Sequence, residues 1–115
     1  MKKTLFVLSA TTLVLVFSNC HSSKKAVAAV PKSTYETDMK ALIVSKCSPC
    51  HIPAKGGNKK SYDNYANVKE DIDQIIQRIQ LEPGARGYMP FKKPKLNDST
   101  IAVFKQWKTD GMLEN

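Results

Sequence analysis

Two cysteines and a histidine lie close together in the middle of the chain, in the order Cys47-Ser48-Pro49-Cys50-His51. Two thiols three positions apart can each add to one vinyl group of a porphyrin, and the adjacent imidazole can then bind the iron. This spacing is the attachment signature for a c-type haem. We therefore expect Cys47 and Cys50 to carry one covalent haem c, with His51 as an axial iron ligand.

Three other kinds of site use some of the same residues. A thioredoxin-like redox pair needs a βαβ pattern, which this sequence lacks. A zinc site needs a fourth ligand, and the second histidine, His21, lies in a linker. A disulfide within the motif would close a very short loop and would leave His51 unexplained. The motif therefore favours haem.

A haem iron has a second axial position, for which the methionines and His21 are the candidates. Met39 belongs to the apolar stripe of a predicted helix, and Met112 follows the last predicted helix. Met89 lies in an irregular segment, where Pro90 disfavours helix at the preceding residue. We expect Met89 to be the sixth ligand. The alternative is a methionine packed beside the haem, with the iron open or bound by water.

Helical spacing predicts the elements that must position these residues. A first helix should begin at a capping box in residues 33–36, with Ser33 or Thr34 as its N-cap. It should run into Cys47, burying one stripe formed by Tyr35, Met39, Leu42 and Ile43. A second helical region should start at Tyr62, with a break near Asn67, and end at 82–84. Its stripe consists of Val68, Ile72, Ile75, Ile76 and Ile79.

Residues 82–96 form a proline-containing loop, and a last helix should follow it. Asn97 is a good N-cap, Asp98 complements the helix dipole, and Gly111 suits the end of the helix. The apolar face of this helix consists of Ile101, Phe104 and Trp107. The sequence shows no strand pattern, so we expect an all-α domain of three main helices whose long loops are organised by a haem.

The first twenty residues resemble a bacterial lipoprotein signal. A basic start, 1–3, precedes an apolar run, 5–17, that is short for a membrane span. Cys20 follows directly and would be the lipidated residue, which would account for the odd number of three cysteines. We expect a signal peptide at 1–19, a lipidated N-terminus and flexible linker at 20–32, and the domain at 33–115. A retained anchor and a plainly cleaved signal are the alternatives.

The chain is basic, with a formal net charge of +8, of which the signal contributes two lysines. A positive surface can steer acidic protein partners or an anionic membrane, whereas no nucleic-acid motif is present. The residues after Cys20 include no nearby acid. By resemblance to the enteric sorting rule, this favours the outer membrane, with the domain on the periplasmic side. The sequence does not indicate the oligomeric state.

The Cys-x-x-Cys-His motif, the later Met89-Pro90 and the closing helix with Trp107 and Gly111 resemble a class I, single-haem cytochrome c domain. The resemblance covers roughly residues 35–112. It implies that the first and last helices pack across each other, that His51 and Met89 are the axial pair, and that electrons pass at the exposed haem edge.

The sequence departs from the family pattern after the motif. Many members have a Gly-Pro about ten residues after the histidine, and the proline carbonyl orients the imidazole. Here Gly56-Gly57-Asn58 stands in that region, and Pro53 is the candidate for supplying the carbonyl.

Other side chains could surround the haem. Candidates for bonding its propionates are Tyr62, Tyr65, Tyr88 and Arg86, although Tyr62 and Tyr65 equally suit the core. Trp107 suits either a propionate donor or a helix-packing residue. Basic residues that could ring the haem edge, or simply form a solvated loop, are Lys92, Lys93 and Lys95.

These features predict an electron carrier rather than an enzyme, because histidine and methionine together would fill both axial positions. The alternatives are a haem sensor or small haem enzyme with an exchangeable sixth ligand, and a haem subunit of a larger respiratory complex.

Overall fold

A computed structural model of the protein describes residues 29–115. The signal peptide, Cys20 and linker residues 20–28 lie outside the described residues. Within 29–115, a π-helical turn, Tyr35–Met39, leads directly into α1, Lys40–Lys46. A 3₁₀ turn, Pro53–Lys55, precedes α2, Tyr65–Gln80, and α3, Asp98–Thr109. The expected all-α class is confirmed for this part, where a lone bridge joins Thr34 to Leu113 and no strand forms.

The first helical segment begins at a cap formed by Thr34. Its hydroxyl oxygen accepts the N–H of Thr37 at 3.3 Å, and the carboxylate of Asp38 accepts the N–H of Thr34 at 2.8 Å. Of the two N-cap candidates, Thr34 is confirmed and Ser33 is not. The prediction that Glu36 completes a capping box is wrong. Because the first turn is π-helical, the acid four residues after the cap reaches the Thr34 amide. Glu36 instead forms a surface ion pair.

The second helix begins three residues later than expected, at Tyr65. The side chain of Asn64 accepts the N–H of Asn67 at 3.0 Å and so caps the helix. The break expected near Asn67 is wrong, since the helix is continuous from Tyr65 to Gln80. The expected stripe is largely confirmed, because Ile76 is half-buried and the other members are buried: Val68, Ile72, Ile75 and Ile79. Each contributes about 1.5–3 kcal/mol if fully buried.

The third helix begins where expected. The side-chain oxygen of Asn97 accepts the N–H of Thr100 at 2.8 Å, and Asp98 lies in the first turn. These groups satisfy backbone donors and complement the positive end of the helix dipole. The expected buried face is confirmed as Ile101, Phe104 and Trp107.

Gly111 ends this helix in the left-handed conformation, with φ of +96°. Its N–H donates to the carbonyl of Lys108 at 3.1 Å, and the N–H of Met112 donates to that of Trp107 at 2.9 Å. These two hydrogen bonds close the helix and turn the chain back. The expected role of Gly111 is confirmed.

The core lies where α3 contacts both α2 and the π-helical turn. Three aromatic rings, from Tyr35, Tyr65 and Trp107, lie with their centroids 5.8–6.2 Å apart in edge and tilted arrangements. Such arrangements favour contact between ring edges and ring faces. This contact holds the start of the first helical segment against the end of the third. Among residues 29–115, no helix is long and apolar enough to cross a bilayer.

Candidate functional site

A cavity of about 460 Å³ lies between the cysteine motif, α2 and the loop that follows α2. This volume is within the range of roughly 300–1,000 Å³ for cofactor and ligand pockets. Apolar side chains from two helices line it, namely Ile75, Ile79 and Phe104. The potential haem-binding groups predicted from the sequence also line it: Cys47, Cys50, His51 and Met89.

The chain after His51 folds back over the cysteine motif. The N–H of Lys59 donates to the carbonyl of Cys50 at 3.0 Å, and the N–H of Tyr62 donates to that of His51 at 2.9 Å. Gly57 lies inside this fold. A Cβ on Gly57 would be 2.7 Å from the carbonyl oxygen of Cys50 and 2.8 Å from the nitrogen of Ile52. Glycine therefore permits a backbone approach that any other residue would obstruct.

The imidazole of His51 has a defined hydrogen-bond partner. Its Nδ1 lies 2.8 Å from the carbonyl oxygen of Lys60. Because a carbonyl only accepts, Nδ1 is the donor of this bond, which leaves Nε2 as the ring nitrogen available to a metal. The prediction that the Pro53 carbonyl orients the imidazole is thus wrong. Pro53 is in the 3₁₀ turn, whereas the carbonyl of Lys60, later in the same loop, lies next to the ring.

The ring of Tyr62 stacks on the imidazole of His51. The two centroids are 4.5 Å apart and the planes differ by 8°. The Tyr62 hydroxyl donates to the carboxylate of Asp71 on α2 at 2.9 Å, and the ammonium of Lys60 lies 3.0 Å from the same carboxylate. Burial, together with the bond to Asp71, raises the pKa of Tyr62 to about 12. The phenol therefore stays protonated near neutral pH and donates to Asp71.

The two motif cysteines differ in exposure. Both are free thiols, with Cys47 half-buried and Cys50 exposed. Burial raises the pKa of the Cys47 thiol to about 11, and the nearby charge of Lys93 opposes that effect in part. The ammonium of Lys93 also donates to the carbonyl of Ser48, which ties the loop after α2 to the motif.

The loop after α2 carries Met89 to the cavity. The N–H of Met89 donates to the carbonyl of Arg78 near the end of α2, at 3.2 Å. Tyr88, which is buried, donates from its hydroxyl to the carbonyl of Lys93 at 3.0 Å and so closes the loop on itself. Met89 is half-buried against the core and lines the cavity together with Pro90.

The other methionines of the described residues lie elsewhere. Met39 is fully buried in the core between helices, and Met112 packs beside the core after the third helix. Neither lines the cavity. His21, the remaining candidate for the sixth position, lies outside the described residues. The structure therefore brings Met89, alone among Met39, Met89 and Met112, to the cavity that His51 lines.

The three tyrosines considered for propionates have hydroxyls that donate within the protein. Tyr62 bonds Asp71, Tyr88 bonds a loop carbonyl, and Tyr65 donates to the carbonyl of Met112 at 3.0 Å. Arg86 is exposed and does not line the cavity.

Trp107 belongs to the core rather than to the cavity lining. It is fully buried, and its indole N–H donates to the carbonyl of Leu113 at 2.8 Å. Of the two roles considered for Trp107, its contacts match the helix-packing one.

Of the three lysines that the sequence suggested for the haem edge, one lines the cavity. Lys93 lines it, whereas Lys92 lies over the ring of Phe91, with its nitrogen 5.3 Å from the centroid, and Lys95 pairs with Glu82. Further cations lining the cavity are Lys46, Lys59, Lys60 and Arg78.

Sequence reasoning missed Asp71, Arg78 and the Lys60 carbonyl. The separation of 11 positions between Lys60 and Asp71 carries no signal that the two share a site. A signal for Asp71 and Arg78 was present in α2, where both occur at helical spacing beside the apolar stripe. The Lys60 carbonyl had none, because any residue supplies one.

No cluster of three or more His, Cys, Asp or Glu side chains suited to a metal ion occurs in the part of the chain from residue 29 onward. In comparisons with family models, curated proteins and solved structures, nothing matched this chain.

Proposed function

We propose that this protein is an electron carrier with one covalent haem c, held in the cavity between the cysteine motif and α2. The observation that carries the proposal is the lining of that cavity. Two thiols, an imidazole with a free Nε2 and a methionine thioether all line it beside apolar residues of two helices. Nitrogen and thioether sulfur are the axial ligands of carrier cytochromes.

The residues present fit this group in chemistry as well as in cavity size. Cys47 and Cys50 would each add their S–H across one vinyl group, forming a carbon–sulfur bond without any oxidant. His51 and Met89 would be the axial ligands. When bound, the haem supplies a one-electron iron couple. Apolar contacts from Ile75 and Phe104 would exclude water from the site and so help set its potential.

A carrier is favoured over a haem enzyme because both axial positions would be taken. His51 is held by its bond to Lys60, and Met89 is held by the backbone bond to Arg78. A sensor or small haem enzyme needs an exchangeable sixth ligand. Arg86, the arginine of the loop before Met89, is outside the cavity lining. Co-purification with a larger respiratory complex from detergent extracts would instead identify the protein as a subunit of that complex.

We further propose that lipid on Cys20 tethers the domain to the periplasmic side of a bacterial membrane, the outer membrane being favoured. The sequence signal at 1–20 supports this. Residues 20–32 would then allow the domain to reach acidic redox partners, which its positive charge would attract. Incorporation of labelled fatty acid into the wild type, but not into Cys20→Ala, is the expected result. Equal labelling of both would overturn the tether.

A spectroscopic redox titration of protein expressed with a haem-attachment system tests the function. We expect the haem to remain with the denatured wild type, and to be lost from a Cys47→Ala, Cys50→Ala double variant. The oxidised wild type should show the weak red band of a methionine–iron bond. Absence of covalent haem would overturn the cofactor. Rapid carbon monoxide binding to the reduced wild type would favour the sensor or enzyme alternative.

A further inference from the structure

We propose that Asp71 is a positioning residue for the imidazole of His51, acting through Tyr62 and Lys60. The inference rests on the proposed function for its meaning at the iron, although the contacts it uses are present without any cofactor. Asp71 does not touch the imidazole. It binds the two residues that do, one through the ring face and one through a backbone carbonyl.

Two independent connections run from Asp71 to His51. The first passes through Tyr62, whose hydroxyl donates to Asp71 at 2.9 Å and whose ring lies parallel to the imidazole at 4.5 Å. The second passes through Lys60, whose ammonium is 3.0 Å from Asp71 and whose carbonyl is 2.8 Å from Nδ1 of His51. One carboxylate thus restrains both the face and the edge of the ring.

The position of Asp71 on α2 explains why it suits this role. Residue 72, its neighbour, is buried in the core, so the helix that carries Asp71 cannot easily shift. The loop that carries His51 has short 3₁₀ and turn segments but no long helix of its own. Bonds to Asp71 therefore connect a loop with little regular structure to a helix that is packed in the core.

Two other acidic residues of α2 help to distinguish the role of Asp71 from a general effect of negative charge. Glu70 also pairs with Lys60, at 2.7 Å, but its side chain is 70% exposed, and the Tyr62 hydroxyl donates to Asp71 instead. Asp73 lies two residues beyond Asp71 on the same helix and pairs with Lys108 of α3. Asp73→Asn therefore removes the same charge from α2 without touching either connection.

The test is hydrogen exchange measured by NMR on the haem-loaded protein. In Asp71→Ala we expect the Nδ1–H of His51 and the N–H of Tyr62 to exchange at least tenfold faster than in the wild type. In Asp71→Ala and Asp73→Asn alike, the core amide of Phe104 should keep its protection, and Asp73→Asn should leave His51 within twofold of the wild type. Loss of a partner that orients a metal-bound histidine typically costs roughly 10–100-fold in metal affinity or activity.

Exchange of the His51 Nδ1–H within twofold of the wild type in Asp71→Ala would overturn the proposal. If Asp71→Ala does not fold, Asp71→Asn and Tyr62→Phe each remove a single connection, and each should still accelerate exchange more than Asp73→Asn does. If the wild type binds no haem, the proposed function fails by itself. The nuclear Overhauser contact between the rings of His51 and Tyr62 then tests positioning in the haem-free chain, where its persistence in Asp71→Ala would refute the role.

Discussion

The indole N–H of Trp107 donates to the backbone carbonyl of Leu113, 2.8 Å away. The same carbonyl accepts the N–H of Tyr35 at 2.9 Å. One oxygen near the end of the chain therefore joins the third helix to the start of the first. Because Trp107 is fully buried and does not line the cavity, this bond stabilises the fold and leaves the indole without a role at the site.

Trp107→Phe should therefore lower stability and leave the haem potential unchanged. The variant loses the bond to Leu113 and part of the indole volume, a cost of about 2 kcal/mol. The thermal unfolding temperature of the haem-loaded protein should fall by roughly 10 °C for a domain of this size. A changed potential with an unchanged unfolding temperature would instead indicate that Trp107 bonds the haem.

Gly57→Ala should disturb the loop that carries His51. The added carbon would meet backbone atoms of Cys50 and Ile52, which cannot move as a side-chain end can. We expect a loss of about 3 kcal/mol, at the upper end of the cost of overpacking. Covalent haem per chain, measured from absorbance, should fall as well.

Gly56→Ala is the matched control for this loop. Gly56 has φ of +82° and nothing within 4 Å of an added carbon, so the variant suffers only backbone strain of about 1 kcal/mol. Equal losses in the two variants would show that close backbone approach at Gly57 is not what the loop requires.

Met89→Ala should remove the sixth ligand of the proposed haem. We expect the weak red band to vanish and the potential to fall by on the order of 100 mV, a part of the roughly 0.8 V range that axial ligands span. The comparison is Met39→Leu, a volume-conserving change in the core that should keep both band and potential. Retention of the band in Met89→Ala would contradict the assignment.

The pair of Asp71 and Lys60 should make part of the stability depend on pH. The bond from the Lys60 ammonium, helped by that from Tyr62, lowers the pKa of Asp71 below its ordinary value. For a lowered pKa, the stabilisation is present above the unfolded value of about 3.9 and is lost as the pH falls through the folded value. The acid arm of the stability curve should therefore be less steep in Asp71→Asn.

Chemical denaturation of the wild type and Asp71→Asn at pH 7 and pH 2 measures this effect. We expect the wild type to be slightly more stable than the variant at pH 7, since the Lys60 side chain is 41% exposed and solvent weakens the pair. The difference should shrink toward pH 2, because the pair weakens as Asp71 takes up a proton. A difference that is the same at both values would exclude the ion pair as its cause.

The helices were largely predictable because their signals are local. Apolar spacing indicated the buried stripe of α2, and Asn97 and Gly111 marked the two ends of α3. The errors also have local causes. Asn64 caps α2 later than expected, and the π-helical first turn brings Asp38, rather than Glu36, to the Thr34 amide. Competition between nearby capping groups is decided by backbone geometry, which residue types do not reveal.

Residue type and short spacing were enough to predict the all-α class and the chemistry available in Cys47, Cys50, His51 and Met89. Met89 shares a cavity with His51 because of the path that the loop after α2 takes, which became visible in the fold and not in the sequence. The fold also replaced Pro53 with the Lys60 carbonyl and brought Asp71 to Tyr62. The physical reason is that hydrogen bonds across a fold form between groups whose separation in sequence carries no information about their separation in space.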